Sequence, residues 1–324
     1  MKPSQSQVIL AFAAVYIIWG STYLAIRYAV ETIPPFLMGG ARFLLAGAFL
    51  YAWLRLRGTP APKRSHWKGA SVVGFLMLVG GNGGVVWAEQ YVPSGLTALL
   101  VATVPLWLVV LDWLQPGGTA PGGRVISGLL LGMMGIVLLI GPGNVSDGNS
   151  VDPLGATVLV MASLSWAIGS LYSRKADLPS SSLLATAMEM LAGGAFLILL
   201  GLATGEAGRL NLSQVSIASA ISLVYLVLFG SLIGFTAYIW LLKVTTPSRV
   251  GTYAFVNPVV AVVLGWLVAG EALSVQTVIA AAVIVASVAI IILQRSQGSK
   301  SATPKEQTSG NEEIKEPVLE KGTS

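Results

Sequence analysis

The sequence predicts an all-α integral membrane protein: ten transmembrane helices built as two inverted five-helix repeats (5+5), with both termini cytoplasmic. Three observations predict it. Only 10% of the 324 residues are charged, 54% are hydrophobic, and the mean hydropathy is +0.77. Lys and Arg concentrate in alternate connections between the apolar runs. Short motifs of the first half recur in the second at a nearly constant offset.

The charge deficit comes first. A soluble domain carries roughly 25% charged residues, so this chain has too little charge to cover a water-facing surface. About 20 apolar residues in a helix cross the hydrocarbon core. Backbone groups there must be paired within their own segment, so long apolar runs read as helices. Ten runs qualify: Val8–Tyr28, Pro35–Leu54, Trp67–Glu89, Ser94–Leu114, Arg124–Gly141, Leu154–Arg174, Ser182–Thr204, Ser216–Leu242, Pro247–Ala269 and Ser274–Leu293. Pro, Gly or charge marks the breaks, as at Ile33-Pro34-Pro35, Tyr91-Val92-Pro93 and Gly141-Pro142-Gly143. The first run lacks the basic start and the small-residue cleavage site of a signal peptide.

Basic residues set the direction. Arg55, Arg57, Lys63, Arg64 and Lys68 crowd the second connection, and Arg124, Arg174, Lys175, Lys243 and Arg249 fall on the same side. The loops of the other side offer only Arg209, and their longest, Pro142 to Pro153, carries Asp147 and Asp152. Both termini are therefore expected inside. From Arg295 to Ser324 the chain is rich in Ser, Thr, Gly, Lys and Glu and reads as a disordered cytoplasmic tail.

The repeat fixes the organisation. Trp19 to Arg27 aligns with Trp166 to Arg174, and Gly47-Ala48-Phe49-Leu50 with Gly194-Ala195-Phe196-Leu197, both displaced by 147 positions. Val110 to Leu114 aligns with Val263 to Leu267, and Pro105 with Pro258, displaced by 153. Residues 1–143 thus form one five-helix repeat, 150–294 a second, and 295–324 the tail. An odd helix number inverts the second copy, as the charge pattern requires independently. Such repeats place a solute site near the midplane, between the halves.

Several function classes lack raw material. Cysteine is absent and His66 is the single histidine, so disulfides, thiolate metal sites and Ser-His catalysis are not expected, and no cofactor or metal is. An intramembrane enzyme would need clustered acids or a His partner. The net charge of +5 lies in loops between apolar runs, which argues against nucleic acid. No phosphate-cradling G-x4-G-K-S/T loop occurs.

The polar and aromatic residues within spans are the candidate site. Arg42 and Glu189 stand at the same repeat position, each about 10 Å from opposite membrane faces at 1.5 Å per residue. They either steer a charged solute or snorkel and pair locally. A direct pair between them is not expected. Pro105 and Pro258 each remove a helix hydrogen bond, freeing the carbonyls of Val101 and Ala254, with Thr103 and Asn257 beside them. Interrupted helices at matching repeat positions mark a solute site, and plain kinks are the alternative. Trp19, Tyr23, Trp166, Trp87 and Tyr253 are cavity or packing aromatics, and Asn82 lies in the run Gly80-Gly81-Asn82-Gly83-Gly84. Glu89 and Asp112 read as interfacial carboxylates at helix ends. Arg27 and Glu31 read as a surface pair, and Glu271 as the cap of the tenth helix.

On Trp19-Gly20-Ser21-Thr22-Tyr23, Arg42 to Gly47, Pro93-Ser94-Gly95 with Pro105, Pro247-Ser248 with Asn257-Pro258, and Gly270-Glu271-Ala272-Leu273, the chain resembles the drug/metabolite transporter superfamily, in its ten-helix EamA-type members. The resemblance covers Val8 to Leu293. It implies export of small metabolites or drugs by alternating access across an inner or plasma membrane, through a cavity lined by helices 1, 3, 4, 6, 8 and 9. It is closest to bacterial amino-acid and metabolite exporters. The partners it implies are a small-molecule substrate and the bilayer, with proton coupling and a homodimer left open. A passive facilitator is the competing expectation. One departure stands out: Pro116-Gly117-Gly118 replaces the acidic residue that often follows the fourth helix, as Glu271 follows the ninth.

Overall fold

The computed structural model describes residues 4–116, 120–140, 152–245 and 247–301. These are helical, with no strand among them. In chain order the main helices are α1 (Gln5–Val30), α2 (Pro35–Leu56), α3 (Arg64–Ala88), α4 (Ser94–Leu114), α5 (Gly123–Ile140), α6 (Pro153–Ser173), α7 (Ser182–Ala203), α8 (Ile217–Val244), α9 (Pro247–Val250 and Tyr253–Ala269) and α10 (Val275–Ser301). Seven of them, α1–α4 and α6–α8, are long and apolar enough to cross a membrane, and α5, α9 and α10 contain shorter apolar helices.

Local chemistry explains the ends. Ser4 and Gln7 form a reciprocal capping box on α1. Pro35, Pro153 and Pro247 open helices at positions where a missing N–H costs nothing. Asp152, Ser181 and Ser216 accept from the first-turn amides of α6, α7 and α8. Beyond α2 and α7 the chain turns through Gly58 (φ 82°) and Gly205 (φ 76°), left-handed geometry that a side chain would strain. Those glycines stand 147 positions apart, as do the first and last residues of the two helices they follow.

α2 and α7 pack face to face at the centre. A Cβ on Gly40 would lie 3.0 Å from the Gly194 carbonyl, and one on Gly47 3.0 Å from the Ala187 carbonyl. Position 40 corresponds to 187 and 47 to 194 under the same displacement, so the two contacts exchange with each other. That reciprocity is what a two-fold relation between packed elements produces. Small residues let the backbones approach closely, while Phe43, Leu50, Met188 and Leu197 fill the surrounding core. The outward faces remain apolar: Leu45 and Phe49 on α2, Leu130 and Val137 on α5, and Val278 and Ile279 on α10 are all exposed. Water would not tolerate that surface, and lipid covers it.

α3 and α8 each contain a π-helical segment, Phe75–Gly83 and Leu226–Ile233, in the third helix of their halves. The wider turn loosens the backbone ladder and leaves carbonyls for other donors. Ser165 of α6 donates to the Leu76 carbonyl at 2.7 Å, and Trp19 Nε1 of α1 to the Gly230 carbonyl at 3.1 Å.

The two proline-bearing helices behave differently from expectation. α4 breaks at Ala102–Thr103, and Pro105 sits in the first turn of the segment that restarts at Val104. Pro258 lies inside an unbroken stretch, because the interruption of α9 falls earlier, at residues 251–252. The matched prolines therefore do not mark matched breaks. α10 also continues to Ser301, past the expected start of the tail, since no proline occurs before Pro304 to stop it. Residues 302–324, the Pro142-to-Val151 stretch with Asp147, and Gly117-Gly118 lie outside the described residues.

Candidate functional site

The bundle has two ends. The Pro93 end gathers the finishing turns of α1, α3, α7 and α9 with the starts of α2, α4 and α8, tied by Ser216 N–H to Thr32 and Ser219 Oγ to the Tyr28 carbonyl. At the opposite, His66 end, His66 Nε2 lies 3.4 Å from Asp177, and Lys175 donates to Gln115.

Carboxylates hold the Pro93 end together. Glu271, its side chain buried just beyond α9, accepts from Ser94 N–H (2.8 Å), Ser94 Oγ (2.7 Å) and Gly95 N–H (3.0 Å), and forms an ion pair with Arg27. Glu206, fully buried beyond α7, accepts from Leu37 N–H (2.9 Å) and Phe36 N–H (3.3 Å), with Arg209 at 3.5 Å. Each closes the N-terminus of a helix from the other half, where free amides and the helix dipole favour an anion. Two expectations change here. Arg27 pairs with Glu271 rather than Glu31, and Glu271 caps α4 rather than α10. Pro34 and Pro93 leave the first amides of α2 and α4 without local side-chain caps, so the distant carboxylates supply them. Sequence reasoning passed over Glu206; its only signal is its place after a helix-ending glycine, the same place Glu271 holds.

Toward the His66 end lies a narrow cleft, lined by Met77, Trp166, Thr186, Glu189, Met190 and Phe235 among others. Glu189 is half-buried there, facing apolar and aromatic walls with a carboxylate that no described cation pairs. Trp166 reaches it because α6 crosses the glycines of the α3 π segment: a Cβ on Gly81 would meet the indole at 2.9 Å. Phe235 links the cleft to an aromatic cluster in which Trp19 meets Phe235, Tyr238 and Tyr253 with ring centroids 5.1–5.3 Å apart.

The remaining candidates take other places. Arg42 is buried, donates from Nε to Ser231 Oγ at 2.9 Å in the α8 π segment, and lies over Phe43. It does not meet Glu189, as the depth argument expected. Tyr23 and Trp87 pack on the core near the Pro93 end. Asn82 is half-buried in the α3 π segment. Two residues leave the cavity set. Thr103 is fully buried with its hydroxyl turned back to the Leu100 carbonyl, 2.6 Å away. Asn257 is buried, and its amide nitrogen donates to the Tyr253 and Tyr16 carbonyls, tying α9 to α1. Thr103 satisfies local backbone where α4 breaks, while Asn257 bonds both its own helix and α1. Asp112 is exposed, in keeping with a helix-end carboxylate, but Glu89, also at a helix end, is 5% exposed and packed inside protein.

An apolar-coated helical bundle with a mostly apolar cleft holding one carboxylate fits an integral membrane transporter, and the chain is a multi-pass protein of the inner membrane. The chain belongs to the EamA-like transporter family, whose model matches residues 6–141 and again 153–293. It is 42% identical over 284 residues to the uncharacterized inner membrane transporter YedA of Escherichia coli K12, covering 87% of this chain and 90% of that one. It is 24% identical to the uncharacterized transporter YvbV of Bacillus subtilis, over 93% and 96% of the two chains. A solved crystal structure, 23% identical, shares the fold with a TM-score of 0.60 over 90% of this chain and 99% of its own.

Proposed function

We propose that the protein is a secondary transporter that exports small organic metabolites, amino-acid-like solutes or amphiphilic drugs, by alternating access between two inverted five-helix halves. All ten helices span, and both termini are cytoplasmic. The observation that carries this reading is the contrast between the ends. The Pro93 end is held by Glu206 and Glu271, while the Glu189 cleft lies toward the basic His66 end. Basic connections face the cytoplasm, so this conformation is closed outside and receives solute from inside. The exchanged α2–α7 contacts and the paired π segments support inverted halves, whose interconversion opens the other side. Trp166 and Glu189 contact the solute, and Trp19 and Tyr253 line its onward path.

The test is flux of a metabolite panel into liposomes containing the full chain. Trp166→Ala and Glu189→Gln are expected to lower flux at least tenfold, and Thr103→Ala to leave it near wild type. A carrier also shows counterflow: preloaded solute accelerates entry of labelled solute. Flux without counterflow would favour the passive channel. Wild-type flux in both cleft variants would overturn the site.

A further inference from the structure

Glu89 ends α3 in an unusual setting. It is 5% exposed, and neither carboxylate oxygen has a partner at full hydrogen-bonding distance among the described residues, with only the Arg27 backbone close by. The other buried acids of this end, Glu206 and Glu271, each accept two or more. Charged and titratable groups face Glu89 from each neighbouring element that bears one: Tyr23 and Arg27 from α1, Arg42 from α2, and Glu271 from beyond α9. The cations are engaged elsewhere, Arg27 with Glu271 and Arg42 with Ser231. A buried carboxylate without hydrogen bonds is strongly disfavoured as an anion, and Glu271 adds a second negative charge nearby. A neutral carboxylic acid fits the site as it stands.

We propose that Glu89 is a proton-binding site linked to the Arg27–Glu271 latch: it holds a proton while the latch is closed and releases it when the latch opens. The proposal rests on the transporter reading, which requires the Pro93 end to open. Opening parts Glu271 from Arg27 and frees the guanidinium, whose helix already packs beside the end of α3. The O–H bond of Glu89 then breaks, the proton passes to water on the newly opened side, and the electron pair stays on the carboxylate, which pairs with Arg27. Arg27 thus serves two acids in turn.

Infrared difference spectra of the full chain in lipid, between acid and alkaline pH, read this without a known substrate. Wild type is expected to show a carboxylic-acid carbonyl band of the weakly hydrogen-bonded type, absent in Glu89→Gln. Glu89→Asp, which keeps the acid, should move the band and not abolish it. Glu271→Gln frees Arg27, so the band should vanish at lower pH, by about tenfold or more in proton concentration. Adding Arg27→Gln should cancel that displacement. An unchanged spectrum in Glu89→Gln, or a titration indifferent to Glu271→Gln, overturns the proposal. Flux in liposomes separates the two readings: flux with an unmoved band rejects the proton site alone, and the described band without flux rejects the transporter reading alone.

Discussion

Glu271 and Ser94 stand 177 positions apart in the chain, yet one Glu271 oxygen accepts from both the Ser94 amide and its hydroxyl. The same oxygen pairs with Arg27. Three helices, α1, α4 and α9, are joined through one carboxylate. Glu271→Ala should cost about 2–3 kcal/mol, because the charge-assisted bonds go and buried amides are left open. Glu271→Gln, which keeps an acceptor, should cost less. Thermal unfolding in detergent measures both.

Glu206 makes the equivalent closure of α2 with separate partners, Phe36 and Leu37. Glu206→Ala should destabilise comparably, and the double variant with Glu271→Ala should be additive within about 0.5 kcal/mol. A larger departure would show that the two closures act as one unit.

The chain contains no cysteine, so single cysteines can be placed on a silent background. Ala61 and Asn211 are exposed on connections at opposite ends of the bundle. In intact cells a membrane-impermeant maleimide should label Asn211→Cys and spare Ala61→Cys. In inside-out vesicles the pattern should reverse. The same result from both preparations would refute the proposed orientation.

A Cβ added at Gly47 would meet Met190 Cβ at 2.9 Å and the Ala187 carbonyl at 3.0 Å. Backbone cannot give way as a flexible side chain does, so Gly47→Ala should cost about 1–3 kcal/mol through overpacking. Gly122 has no atom within 4 Å of the same position and should accept alanine without loss. Thermal unfolding of the pair compares them directly.

Arg42 and Ser231 join α2 to the π segment of α8. A double-mutant cycle with Arg42→Lys and Ser231→Ala should return a coupling of about 1–2 kcal/mol, since lysine has no counterpart of Nε on the same stem. A coupling near zero would show that Arg42 is held by its burial alone.

Much of the architecture was legible in the chain. Apart from the far end of α10, the apolar runs placed the helices to within a few residues, because lipid forces each segment to satisfy its own backbone. The displacement of 147 positions read from the sequence also relates the ends of α2 and α7, and Gly58 to Gly205, which the apolar runs alone did not place. The candidate site was legible in part. Trp166 and Glu189 do share a cleft, but Thr103 turns back to local backbone and Asn257 ties α9 to α1, choices that spacing along a helix does not reveal.

Charged residues at helix ends were the least legible. From sequence, Arg27 has Glu31 one turn away, and Glu89 and Glu271 sit at run boundaries where water is the default neighbour. Whether such a group meets water, a cation or a distant helix depends on how helices from the two halves pack, and adjacent sequence carries no record of that. The sequence by itself determined hydropathy, helix positions, repeat and charge sidedness, all local or periodic properties read one segment at a time. Only the tertiary structure decided that Glu271 closes α4, that Glu206 closes α2 and that Glu89 is buried without a hydrogen bond. A carboxylate's partner is fixed by long-range packing, which brings groups nearly 180 positions apart within 3 Å.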